Sequence, residues 1–369
     1  MRELTEDDYG WLYLDSLEDL PLSKKMKVAI NLVDGRKVFE IRKHINELNG
    51  VLNEKEINLI ATSYNKDKID KHIKETLKKN IGLITYRSED YPEMLVECPW
   101  PPLVLYYVGD VSLLKTKCIA IIGSRISTGY GQTVTELFSK ELAINGFTIV
   151  SGLAEGLDTV AHKACLDVKG KTIAVLCGGL DKIYPSVNTN LARQIVHSGG
   201  LLISENRIGV DSQRFMFPIR NRIIAGLCRG VVLTEASAKS GTRYTIEHAL
   251  DADRRVYCVP GSILNPRGNY GNQLIKECNS LLVTSPKDVV EDLGLKYKDL
   301  SDYNRKQVKA DVDEVSQIRA ILEEDEYVHF DKILEKSKMD TKKLNSLLTK
   351  LELSGIIKKM AGNLYMLRK

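Results

Sequence analysis

Ile119-Ala120-Ile121-Ile122-Gly123-Ser124-Arg125 is an apolar run that breaks directly into a glycine, a hydroxyl and a guanidinium. Four successive apolar residues fit a strand covered on both faces, as in a parallel sheet. The glycine at its carboxyl end lets a ligand approach the backbone, Ser124 adds a hydroxyl, and Arg125 a fork that matches a phosphate. The pattern recurs where Phe147 to Val150 leads into Ser151-Gly152-Leu153-Ala154-Glu155-Gly156, so two small-residue loops are expected to line one crevice. Further strand-like runs alternate with helical segments from Lys117 to about Leu293: Thr172 to Cys177, Leu201 to Ile203, Val231 to Thr234, Val256 to Val259 and Leu281 to Val283. This alternation implies an α/β fold with a doubly wound, mostly parallel sheet, whose ligands bind beyond the carboxyl ends of the strands.

A chain of 369 residues exceeds one typical domain. Residues 1–79 alternate short helical patterns with polar breaks, as in a small helical domain, and 80–295 hold the proline-rich entry to the sheet and the sheet itself. Residues 296–311 are charged and poor in large apolar groups, as in a linker. In 312–369, Val315, Ile318, Ile321 and Leu322 mark one helix, Ile333 and Leu334 a second, and Leu344, Leu347, Leu348 and Leu351 a third, before a hairpin about Gly362. Three helices and a hairpin make a winged helix.

A net charge of +4 allows a polyanion partner without demanding one. Seven scattered cysteines with no C-x-x-C pattern read as buried free thiols of a reducing compartment, and no segment approaches membrane-spanning length. A cytoplasmic protein with no membrane association is the expectation.

Gly129-Tyr130-Gly131 lacks the third glycine of a dinucleotide fingerprint, and there is no P-loop, so no nucleotide cofactor is expected. The glycine pair reads instead as a turn at a helix start, its amides facing a phosphate. Asp158 and His162, four apart, share a helix face as an acid–base pair or half a metal site would. They serve equally as a helix cap and a satisfied polar residue, or as phosphate or base contacts within the crevice, and with no third ligand evident no metal is expected. Phe215-Met216-Phe217-Pro218-Ile219-Arg220-Asn221-Arg222, preceded by Arg214, combines aromatic faces for unpaired bases with arginines for phosphates. Ser240-Gly241-Thr242 forms another anion nest, and Glu235 with Glu247 could supply the carboxylates of a glycosidic reaction on a nucleotide. Lys342, Lys343, Asn345, Ser346 and Lys350 lie on the non-leucine face of the third C-terminal helix, where a DNA-reading helix or a protein-contacting one would place them.

Taken together, Ile121-Ile122-Gly123-Ser124-Arg125, Ser151-Gly152-x-Ala154-x-Gly156-x-Asp158-x-x-Ala161-His162, Gly178-Gly179-Leu180-Asp181-x-x-Tyr184-Pro185 and Phe217-Pro218-x-Arg220-Asn221-Arg222-Ile223-Ile224-Ala225-Gly226 resemble the DprA (Smf) DNA-processing family. The likeness runs on through Glu235-Ala236, Ser240-Gly241-Thr242 and Val259-Pro260-Gly261-Ser262. It departs from the family pattern at Arg243-Tyr244, at Glu277-Cys278-Asn279 and at Ser186.

The resemblance implies an extended Rossmann-like domain flanked by a sterile-alpha-like or helix-hairpin-helix-like N-terminal domain and a winged helix. It also implies a homodimer that binds single-stranded DNA without catalysis, protects it, and helps load the RecA recombinase during natural transformation. Carried onto this chain, Gly123, Ser124 and Arg125 would hold phosphates with Ser151 and Gly152 in the same site. Arg214, Arg220 and Arg222 would extend the basic pocket, Phe217 would stack a base, and Asn221 with Ser240 and Gly241 would support them. The rival reading is a phosphoribohydrolase-like N-glycosidase on the same kind of fold.

Overall fold

The structure is a computed structural model that describes residues 3–48, 50–298, 314–323, 325, 327–353, 356–360 and 362–367. Most of the expected linker, from 299 to 311, lies outside the described residues. The chain divides into two compact units between Tyr297 and Lys298.

The first unit is built on nine strands: β1 (Gly82–Thr85), β2 (Val104–Gly109), β3 (Cys118–Gly123), β4 (Thr148–Ser151), β5 (Thr172–Leu176), β6 (Leu201–Ser204), β7 (Gly230–Glu235), β8 (Arg255–Cys258) and β9 (Leu281–Leu282). Their order is β1-β2-β6-β5-β4-β3-β7-β8-β9. β6 through β9 run parallel, while β2 is antiparallel to β6 and β1 antiparallel to β2. The chain reverses strand order beside β3, which pairs β4 on one side and β7 on the other. Crevices open at such a switch point. β1 was not expected: four residues directly after a helix leave too short a pattern to register as a strand.

Alternation along β3 divides the interior in two. Ile119 and Ile121 pack with Phe138, Leu142, Phe147 and Val232 on one face, and Ala120 and Ile122 join the core of the other. That second core also takes in Trp11, Tyr13, Leu14, Val28, Leu32 and Ile73 from the N-terminal helices. Trp11 meets Tyr86 edge-on at 5.5 Å, and His72 Nε2 lies 2.8 Å from the Tyr106 hydroxyl on β2. Residues 1–79, expected as a helical domain of their own, thus share a hydrophobic core and a compact unit with the sheet. The physical reason is that the face of β1, β2 and β6 would otherwise be bare.

In the second unit, helices at 314–323, Phe330–Ser337 and Thr341–Leu353 precede a three-stranded sheet of Val328–His329, Leu364–Leu367 and Ile357–Met360. Ile318, Ile333, Leu344, Leu348, Ile357 and Tyr365 form its core, which is the winged-helix arrangement. Lys342, Lys343, Asn345 and Ser346 are exposed on the third helix, with Lys343 paired to Glu314 at 2.5 Å; the Lys350 side chain lies outside the described residues. The seven cysteines are free thiols, six buried and Cys278 exposed. No described helix is long and apolar enough to cross a membrane.

Candidate nucleic-acid interface

A crevice of about 800 Å³ opens beyond the carboxyl ends of β3, β4 and β7. Gly123, Ser124 and Arg125 line it from the loop after β3, Arg214, Phe217, Arg220 and Asn221 from the helix Met216–Gly226 and the turn before it, and Ser240, Gly241 and Thr242 from the loop after β7. Stretches more than a hundred residues apart meet because β3 pairs β7 directly, and a register shift at Gly123 turns the chain out of the sheet. Ser124 N then donates to Glu235 O at 2.8 Å, pinning the loop to the end of β7.

At the mouth, the Arg125 guanidinium lies 5.0 Å from the centre of the Phe217 ring, and Tyr184 approaches the same ring edge-on at 5.8 Å. Arg125, Arg214, Lys239 and Arg267 all line the crevice and are exposed, and none is paired with a carboxylate among the described residues. The only acid in its lining is Asp158, whose carboxylate is turned inward to accept from Gly152 N at 3.1 Å and Ala154 N at 3.3 Å. Burial pushes the Asp158 carboxyl up, opposed first by the charge of Arg220 and then by these amides. Four uncompensated cations around one inward-facing acid make a positive field aimed at solvent.

Several expected ligands do structural duty instead. Arg220 is buried, its Nη1 donating to Gly152 O at 2.7 Å and to Val175 O, so it ties the ends of β4 and β5 together beneath the crevice. Arg222 lies outside the crevice lining and forms a buried pair with Glu205. The Ser151 hydroxyl is buried and donates to Ile121 O at 2.7 Å. The glycines make room for protein rather than ligand: a Cβ on Gly123 would stand 2.4 Å from Leu157 Cδ1, and one on Gly152 2.6 Å from the Arg220 guanidinium. Asn221 bridges the two layers, its Oδ1 accepting from Arg220 Nε at 3.2 Å and its Nδ2 donating to Gly241 O at 3.4 Å.

The helix start at Gly129–Gly131 does face an anion, but the anion is Glu235. Thr128 N and Oγ1 donate to its two carboxylate oxygens at 2.8 and 2.6 Å, a placement that the positive end of the helix favours. Glu235 therefore has both oxygens committed, and Glu247, half-exposed, pairs with Arg243 at 3.1 Å. The two carboxylates weighed for a glycosidic reaction are engaged separately. Tyr184, Lys239 and Arg267 were not singled out as site residues; Tyr184 stands in a quoted motif, while Lys239 and Arg267 are lone cations in loops.

Asp158 and His162 lie on one helix but are engaged separately, Asp158 by the Gly152 and Ala154 amides. The His162 ring is fully buried with Nδ1 2.7 Å from Thr172 Oγ1, and burial, then the charge of Arg220, holds its pKa down to about 3. The unfolded chain takes up that proton near 6.5 and the folded chain only near 3, so stability is lost as pH falls between those values. At pH 5 the loss attributable to His162 is about 2 kcal/mol, at about 1.4 kcal/mol for each unit. Urea unfolding at pH 7 and pH 5 checks it: His162→Gln should show the smaller acid loss, and equal losses in both proteins would assign the effect elsewhere.

A second cavity, of about 350 Å³, lies on the other side of the helix Met216–Gly226, between it and the N-terminal helices. Its charged lining is mixed: Glu18 pairs with Arg207, Glu205 with Arg222 outside the lining, and Lys25 Nζ donates to Asp15 O at 2.6 Å, while Lys68 and Arg220 also line it. Burial pushes the Asp15 carboxyl there up to about 6. With three carboxylates among its four cations, this cavity is a poor match for a phosphate chain; the crevice, lined by one, is the better one.

Residues 82–294 match the DNA recombination-mediator protein A family. The chain belongs to that family. Residues 307–363 match the DprA winged helix domain, in agreement with the second unit. Among relatives, Protein Smf of Escherichia coli is 42% identical over 214 residues, 58% of this chain and 57% of that protein. DNA processing protein DprA of Streptococcus pneumoniae is 40% identical over 223 residues, 60% of this chain and 78% of that one. With 48% of the Synechocystis Smf protein covered as well, the chain spans about half the length of the first two Smf relatives. The X-ray structure of the Streptococcus pneumoniae DprA superposes with a TM-score of 0.63 at 31% identity, covering 81% of this chain and 100% of that one. The Helicobacter pylori protein, whose structure is described for its single-stranded DNA binding mode, superposes with a TM-score of 0.53 at 29% identity, over 59% of this chain and 97% of that one.

Proposed function

We propose that this DprA-family chain holds single-stranded DNA in the crevice and serves as a recombination mediator, protecting the strand and passing it to the RecA recombinase. The observation that carries the reading is the set of four exposed cations, Arg125, Arg214, Lys239 and Arg267, around a crevice whose single acid is turned inward. Phosphates engage these cations, Ser124 and the Ser240-Gly241 turn, while a base stacks over the Arg125–Phe217 pair against Tyr184. A duplex keeps its base faces stacked inside, so the aromatic part of the site selects unpaired strands. The protein acts by binding, as a homodimer in the cytoplasm, with no cofactor.

Fluorescence anisotropy with labelled oligonucleotides tests this. Single strands should bind more tightly than duplexes of the same length, and the logarithm of the association constant should fall against the logarithm of salt with a slope of about −3, as four phosphate contacts on a single strand give. Equal affinity for duplex, or a flat salt dependence, would overturn the assignment. Delivery to RecA is checked by RecA-driven strand exchange, which should be faster with this protein present.

A further inference from the structure

The four most exposed large hydrophobic side chains among the described residues are Leu264 at 90%, Ile263 at 85%, and Ile126 and Val187 at 70% each. All four follow the carboxyl ends of strands, Leu264 and Ile263 in the loop after β8, Ile126 in the loop after β3, and Val187 in a single 3-10 turn, Ser186–Asn188, after β5. Ile126 lines the crevice, as does Arg267, three residues beyond Leu264. A groove of about 300 Å³ is lined by Thr128 and Tyr130, by Glu235, whose carboxylate Thr128 holds, and by Pro260, Gly261, Ser262, Asn265 and Gly268, the residues that flank Ile263 and Leu264.

The loop that carries Ile263 and Leu264 is anchored at its base. Gly261 N donates to Asn272 Oδ1 and Asn272 Nδ2 donates to Gly261 O, both at 2.9 Å, and the Tyr130 hydroxyl donates to Pro260 O at 2.8 Å. Its aliphatic tips are therefore held out in water beside Arg267, which has no carboxylate partner among the described residues. Apolar side chains so placed call for a partner with apolar faces and negative charge together, which is the chemistry of an unpaired strand.

We infer that Ile263 and Leu264 form a second, base-contacting subsite: a single strand seated at Arg125 and Phe217 passes Arg267 and lays its next bases against these two side chains along the groove. This rests on the reading of the crevice as a single-strand site. The contact is to base faces through aliphatic groups, so it is tolerant of sequence and adds affinity only for strands long enough to reach it.

The test compares a short oligothymidylate of about six nucleotides with a long one of about 20, spanning the range of site sizes such proteins use. Ile263→Ser with Leu264→Ser should weaken the long oligonucleotide roughly fivefold or more and leave the short one unchanged, with an unaltered thermal melt. Leu264→Trp, which offers a larger stacking face, should tighten the long one only. No binding of either oligonucleotide by the unsubstituted protein would overturn the crevice reading itself. With crevice binding intact, the inference is overturned by long-strand affinity unchanged in the double variant, by equal loss for both lengths, or by conversion of a dimer to a monomer in light scattering, which would make the patch an interface between copies.

Discussion

Arg125→Ala should weaken single-stranded DNA binding tenfold to a hundredfold while leaving thermal stability unchanged. Arg125 is exposed and has no carboxylate partner among the described residues, so its removal strands no buried charge. On the proposed function, what disappears is one phosphate contact, together with the guanidinium face over Phe217. Together these are worth about 1–3 kcal/mol when the site is occupied, at about 1.4 kcal/mol per tenfold change. The salt slope should also become shallower by about 0.7, the share of a single phosphate. Arg125→Lys separates the two parts: the charge returns and with it the slope, but a compact ammonium neither forks onto a phosphate nor lies flat on a ring, so affinity recovers only in part. Anisotropy titrations at several salt concentrations read both quantities, and an unchanged slope in Arg125→Ala would place the phosphate contact at another cation.

The largest loss of stability is expected from Glu205→Ala, at about 3–5 kcal/mol, because it leaves the Arg222 guanidinium buried without its counter-ion. The Arg222 side chain is 7% exposed and that of Glu205 12%, and Arg222 Nη1 already lacks a hydrogen-bond partner, so no other group stands ready to take up the charge. A domain is commonly stable by about 5–15 kcal/mol, which makes this a serious fraction of the whole. Replacing both partners, as Glu205→Met with Arg222→Met, should restore most of the loss, since the pair also bears the cost of taking two ions out of water. Urea unfolding measures the stability. Anisotropy on the folded double variant measures the DNA affinity, which should match the unsubstituted protein. A drop in affinity in the stable double variant would return Arg222 to the crevice.

Arg220 and Arg222 show why a cluster in sequence is not a cluster in space. A helix advances about 100° per residue, so residues two apart point to nearly opposite sides. Arg220 faces the strand ends beneath the crevice and Arg222 faces Glu205. Their density beside Phe217 had suggested a single basic surface. A continuous apolar run, by contrast, is a short-range pattern that survives folding, which is why the runs around Ile119, Ile149, Ile173 and Val232 read correctly as strands of a parallel sheet.

The loop chemistry was legible only in part. Gly123 does end a strand, but the group that needs the missing Cβ is Leu157, at the start of the helix that follows β4. The start of the helix at Gly129–Gly131 carries an anion supplied by Glu235, more than a hundred residues away, and nothing near Gly129 in the chain announces it. Arg267 and Lys239 are single cations in loops without a local pattern, and only the folded strand order brings them beside Arg125.

The direct pairing of β3 with β7 also bears on when the crevice comes into being. Gly123 sits opposite Glu235, 112 positions further along the chain. A ribosome adds about 5–20 residues per second, so the first wall waits about 6–22 s for the second to be synthesised. Until then the nascent chain can pair β4 with β5 and β3 with β4, yet the cations after β3 have no facing wall. A partly made copy thus carries the first strands of the sheet without the second wall of the crevice, which forms only when translation has passed β7.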